Sequence, residues 1–182
     1  MGIRQQHQVR SDPHPALRPQ VITVGSFSKS FGLAGWRVGY LFAPPAVGAQ
    51  ALKVQDTLVI CAPVISQRAV TAILDSDYYP VLAAQRQTLA TRRAALRAGL
   101  STIPRLSWQE TFGAMFAFVR VADSPPVEAL VEDILQRAAV LVLPGAAFGT
   151  AGVGHLWLSY GATPRPVLTE ALARLRRYFG KR

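Results

Sequence analysis

A β-rich apolar run, Val21-Ile22-Thr23-Val24-Gly25, leads directly into Ser-Phe-Ser-Lys-Ser-Phe-Gly-Leu-Ala-Gly-Trp-Arg-Val-Gly-Tyr at positions 26–40. No other stretch restricts the chain as much. Val21–Gly25 predicts a buried strand, Trp36–Ala43 predicts a second, and the glycine-containing segment between them predicts a turn. Both strands are apolar on both faces, as parallel strands in the middle of a sheet are. Pro44-Pro45 ends the second strand and opens a helix over 46–59. Pro63 stops that helix, and another runs over 65–74.

The second half of the chain follows a different pattern. Residues 79–100 form a long alanine- and arginine-rich helical stretch, with Leu82, Leu89, Leu96 and Leu100 on one face and Gly99 near its end. After Pro104 come a strand over 114–121, a helix over 126–139, a strand over 140–143, a strand over 155–160 and a helix over 166–178. The expected architecture is α/β. It comprises a polar, proline-containing arm at 1–20, a partial large-domain sheet at 21–78, a connecting helix at 79–103 and a small α+β domain at 104–182.

Inside the turn stands Lys29, one of three lysines against seventeen arginines. A lysine amine attacks an aldehyde only when it is deprotonated and held in place, conditions that burial and neighbouring cations supply. Ser26 and Ser28 place hydroxyls just before it, and Arg37 adds a planar guanidinium after it. That set suits a phosphate, and Gly32 and Gly35 let the backbone approach one closely. A lysine of this kind beside a phosphate-binding set points to pyridoxal phosphate. No residues are assigned to a metal.

Half of the residues are hydrophobic and 16% are charged, which fits a packed core, and the net charge is +10. The arginines concentrate on two helical stretches, Arg86–Arg97 and Arg174–Arg182. Arg86–Arg97 has no aromatic residue interleaved as a base-stacking platform, which favours solvated or interface faces over nucleic acid. A missing acidic partner segment is a further reading of the same excess. Cys61 is the single cysteine, so no intrachain disulfide is available, and its apolar neighbours predict a buried, inert thiol. No stretch is apolar for long enough to span a bilayer and the first residues have no apolar signal core, so the expectation is a cytoplasmic protein.

The run at 26–40 closely resembles the cofactor-lysine segment of class I/II aminotransferases, the fold-type-I pyridoxal phosphate enzymes. The resemblance is carried by Ser26, Ser28, Lys29, Gly35, Arg37 and Gly39. It continues through Ile65–Val70, Phe112–Val121, Val140–Gly149 and Gly154–Gly161, so that the chain from Val21 onward is similar to the C-terminal half of such an enzyme. The resemblance implies that Lys29 binds the cofactor covalently and moves the α-proton, while Ser26, Ser28 and Arg37 hold the phosphate. It also implies an amino acid and a 2-oxo acid as substrates, and a homodimer or a complementing N-terminal half as partner.

Two departures qualify that expectation. At Trp157 the family pattern carries an arginine that grips the substrate carboxylate, and an indole with a single N–H cannot replace that fork. Neither His155, read as structural, nor Arg165, placed at a helix start by Pro164 and Pro166, inherits the role. The resemblance further implies an aspartate, an asparagine and a tyrosine ahead of the lysine. Only Asp12 is a carboxylate there, and no tyrosine precedes Lys29. The reading is therefore a truncated or split aminotransferase. Its alternatives are a lyase or decarboxylase of the same fold, and a non-catalytic remnant or interaction module.

Overall fold

The computed structural model describes residues 20–123 and 126–180, and the chain divides between Leu82 and Ala83 into two units. The arm expected over 1–20, with Asp12, lies outside the described residues except for Gln20.

In the first unit, β1 (Thr23–Ser26) and β2 (Gly39–Phe42) form a two-stranded ladder joined by the lysine-bearing turn. The two strands are antiparallel, with Val24 opposite Leu41 and Ser26 opposite Gly39, so the expectation of parallel central strands is corrected. The chain reverses between the two strands without a crossover helix, and only antiparallel pairing permits that. Gly25 is required in this register because the Tyr40 ring lies across it, in the space a Cβ would fill.

Helix α1 (Pro45–Val59) starts on a proline, whose missing N–H is no loss in the first turn. It ends at Ile60, whose φ of 62° and ψ of −68° let the Cys61 amide donate to the Val59 carbonyl at 2.7 Å. The sharp reversal turns Cys61 outward, so this thiol is exposed rather than buried. Helix α2 (Val64–Leu74) follows Pro63. Among the described residues of this unit only Leu33, Ser66 and Val70 are buried, whereas Val24 and Leu58 are 78% and 73% exposed.

Helix α3 (Tyr79–Leu100) begins before the division and carries the chain into the second unit. There β3 (Leu106–Trp108), β4 (Phe116–Val121), β5 (Leu143–Pro144) and β6 (His155–Ser159) form an antiparallel sheet of order β3-β4-β6-β5, with α4 (Val127–Ala138) and α5 (Arg165–Gly180) completing the unit. Side chains alternate across the sheet. Ala117, Val119 and Val121 of β4 and Leu156 and Leu158 of β6 face a core shared with Leu96 and Leu100 of α3, Ile134 of α4 and Leu172 and Leu175 of α5.

Sequence periodicity found most of these elements. It missed β3, which is only three residues long, and it overextended several strands, among them the one expected over 36–43, which is Gly39–Phe42 because Ala34–Trp36 form a 3₁₀ turn. The strand expected from 114 starts at Phe116, because Ala114 takes the left-handed φ of 69°. Of the strand expected over 140–143 only Leu143 and the following Pro144 pair, although Val140 and Val142 are buried as core residues.

Candidate functional site

The turn that carries Lys29 is built by the residues around it. Phe27 and Phe31, four apart, close one helical turn through a Phe31 amide donating to the Phe27 carbonyl at 3.2 Å. Their rings lie 5.9 Å apart and continue into a cluster, Phe27 on Tyr40 at 5.5 Å and Phe31 on Tyr78 at 5.4 Å. The turn is thus fastened by its aromatic side, and Lys29, midway between the two phenylalanines, is exposed.

Ser26 ends β1, and its hydroxyl does two things. It accepts the Ser28 amide at 3.1 Å, which shapes the chain as it leaves the strand, and it donates to the Ser28 hydroxyl at 2.9 Å. The structure therefore brings Ser26 and Ser28 together immediately ahead of Lys29. Arg37 arrives from the other end of the turn. It follows the 3₁₀ turn Ala34–Trp36 in a left-handed conformation, φ 50° and ψ 48°, which a side-chain-bearing residue rarely adopts. Its guanidinium donates to the Ala34 carbonyl at 2.7 Å and bonds to neither serine. The preceding Trp36 carbonyl accepts from the buried Ser66 hydroxyl at 2.7 Å, tying α2 to the strained segment.

The donor set fits a phosphate ester. The Ser26 and Ser28 hydroxyls lie together, and Arg37 carries positive charge of the kind that suits a phosphate dianion. Sequence reasoning singled out these residues and Lys29 but overlooked Phe27, Phe31, Tyr78 and Ser66, which position them. The i, i+4 spacing of the two phenylalanines around the lysine was the available signal. Among the described residues no group of three His, Cys, Asp or Glu side chains is placed to hold a metal.

In the second unit, Trp157 lies at the centre of β6 on the face away from the core. Its indole is stacked on Phe116, with ring centroids 5.5 Å apart, and on Phe148 at 5.8 Å. His155, on the same face, is held by Phe118 at 5.5 Å and by a 2.9 Å hydrogen bond between Nδ1 and the Val153 carbonyl. Both residues are set in packing, as expected for His155. Arg165 opens α5, as its flanking prolines implied.

Comparison with known proteins matches residues 4–175 to the family model for aminotransferase class I and II. The chain is 33% identical over 161 residues to the aspartate aminotransferase of Pyrococcus abyssi and 32% identical over 161 residues to aromatic-amino-acid aminotransferase 2 of Thermococcus litoralis. Each match takes in 87% of this chain and 41% of the relative. The crystal structure of an aromatic aminotransferase from Pyrococcus horikoshii superposes with a TM-score of 0.84 at 31% identity, covering 88% of this chain and 43% of that one. The chain thus spans about two fifths of the length of the relatives it matches.

Proposed function

Because the chain belongs to the class I and II aminotransferase family, we propose that it contributes the cofactor-binding lysine segment and the small domain of an enzyme that moves an amino group from an amino acid to a 2-oxo acid. The observation that carries this reading is the joined Ser26–Ser28 hydroxyl pair directly ahead of the exposed Lys29. Pyridoxal phosphate, when bound, supplies the aldehyde and the electron sink for the chemistry at the substrate α-carbon. Lys29 would hold it through its amine and would move the proton at the substrate α-carbon. Ser26 and Ser28 hold the phosphate by hydrogen bonds. Arg37 would leave the neutral Ala34 carbonyl for the phosphate, where both partners of the hydrogen bond carry charge.

The partner in this proposal is either a second copy of the chain or a polypeptide that supplies the rest of the sheet, as the resemblance implies. The exposed apolar faces of β1, β2 and α1 support it: Val24, Phe42 and Leu58 are the kind of surface that parallel or mixed sheets cover on both sides. We place the enzyme in the cytoplasm, where an exposed lone thiol such as Cys61 stays reduced. No helix among the described residues is long and apolar enough to cross a membrane. Trp157, fixed between two phenyl rings, takes no part in gripping a carboxylate.

The test is nitrogen transfer. The chain is co-expressed with a polypeptide covering the part of the relatives that the match leaves out, and passage of ¹⁵N from an amino-acid mixture to added 2-oxo acids is followed by mass spectrometry. The proposal expects labelled product acids that disappear in Lys29→Ala. A folded, cofactor-loaded complex that transfers no nitrogen to any acceptor would overturn it. Release of ammonia or carbon dioxide without an acceptor would assign a lyase or decarboxylase instead.

A further inference from the structure

The arginine-rich stretches of α3 and α5 play no part in the chemistry proposed above, yet the structure brings them side by side. The two helices approach closely where Gly99 meets Leu172, and a Cβ at residue 99 would lie 2.6 Å from a Leu172 methyl. Beside that contact runs an open groove of about 740 Å³. Its floor is small and apolar, from Ala95, Ala98 and Gly99 of α3 and Leu172 and Ala173 of α5, and its rim carries Arg165, Arg176 and Arg177.

Two of the three charges on this rim are not spent on the described residues of the unit. Arg93 and Arg97 pair with Glu110, Arg137 with Asp133, and Arg174 and Arg177 with Glu170. Arg165 and Arg176 have no ion pair among the described residues. Two uncompensated guanidinium groups beside an apolar floor, in a chain of net charge +10, make a surface complementary to apolar side chains bordered by carboxylates. No aromatic residue lines the groove, so it offers nothing for bases to stack on.

We infer that the groove between α3 and α5 docks an acidic amphipathic segment of a partner polypeptide, with the apolar side of the segment on Ala95, Ala98 and Ala173 and its carboxylates on Arg165 and Arg176. This interaction is independent of the cofactor site and stands or falls without it.

The probe is a fluorescent synthetic helix of leucine and glutamate, titrated by anisotropy into the full chain, with its lysine-for-glutamate counterpart and a single-stranded oligonucleotide as comparisons. The acidic peptide is expected to bind, to weaken as salt is raised, and to lose about tenfold or more in affinity to Arg165→Glu/Arg176→Glu, which removes two charge-assisted contacts. Ala98→Trp, which fills the floor and leaves the charges in place, is expected to weaken it as well. The distant pair Arg86→Glu/Arg120→Glu removes the same net charge and is expected to change little. Equal losses in the two double variants, or binding untouched by Ala98→Trp, would overturn the inference. So would an oligonucleotide that binds more tightly than the peptide and is sensitive to the same residues, since the groove would then be a nucleic-acid surface.

Discussion

At the scale of the residue, Trp157 does structural work where the family resemblance implies a carboxylate-gripping arginine. Two near-parallel ring contacts, each worth about 0.5–1.5 kcal/mol beyond area burial, predict that Trp157→Ala destabilises the chain by about 2 kcal/mol and Trp157→Phe by less. Faster hydrogen exchange at the β4 and β6 amides in the alanine variant would confirm it, and unchanged exchange would count against it. Lys29, Ser26, Ser28 and Arg37 stand out in the sequence because their chemistry is unusual in combination. Of the residues around them, Phe27 and Phe31 leave only their i, i+4 spacing as a signal, and Tyr78 leaves none until the turn brings the rings together. On α5, the Arg174 hydrogen bond, with the charges of Arg174 and Arg177, holds the Glu170 carboxyl below its usual range. A lowered carboxylate stabilises the fold at neutral pH and loses that contribution as pH falls through the folded value. An acid titration should therefore show Glu170→Gln losing less stability than the parent below about pH 4.5.

At the scale of the element, the join between α1 and α2 turns on Ile60, a β-branched residue at φ 62°. Such backbone costs on the order of 1–3 kcal/mol for a residue with a side chain of this kind, and glycine carries no such penalty. Ile60→Gly is accordingly expected to stabilise the chain by about 1 kcal/mol, read as a higher urea midpoint, despite removing an apolar side chain that is largely exposed. The end of β6 gives the opposite dependence on pH from Glu170. Burial raises the Tyr160 phenol above its ordinary value of 10.0, with the Arg93 charge opposing, while its hydroxyl donates to the Ala114 carbonyl at 3.0 Å. A raised phenol favours the fold below its unfolded value, and that support is lost as pH rises beyond 10.0 through the folded value. Tyr160→Phe should be less stable at neutral pH, for want of the hydrogen bond, and show a flatter alkaline limb. Periodicity located α3, α4 and α5 because each has an apolar stripe packed on a core. It misjudged the direction of β1 and β2 because an apolar run looks the same in a parallel or an antiparallel ladder, and it placed Cys61 inside because neighbouring valine and isoleucine carry no record of the turn at Ile60.

At the scale of the whole molecule, the two units differ in what their surfaces still need. The second has a continuous core from Leu96 to Phe179. In the first, strands β1 and β2 leave Val24, Leu41 and Phe42 exposed, and α1 and α2 do the same with Leu52, Leu58 and Ile65. Apolar faces of this extent drive association, so the chain by itself should self-associate with concentration in sedimentation velocity, and the complementing polypeptide should suppress that behaviour. A compact monomer at every concentration would contradict the reading of these faces as covered in the complete enzyme. The central claim, that this turn is a cofactor site, is tested most directly by attachment. The chain, with its complementing polypeptide, is incubated with pyridoxal phosphate, reduced with borohydride, digested and mapped by mass spectrometry. The account predicts a phosphopyridoxyl group on Lys29, with Lys53 unlabelled, and weaker labelling in Ser26→Ala/Ser28→Ala. Label spread without preference over the lysines, or absent from Lys29, would contradict it.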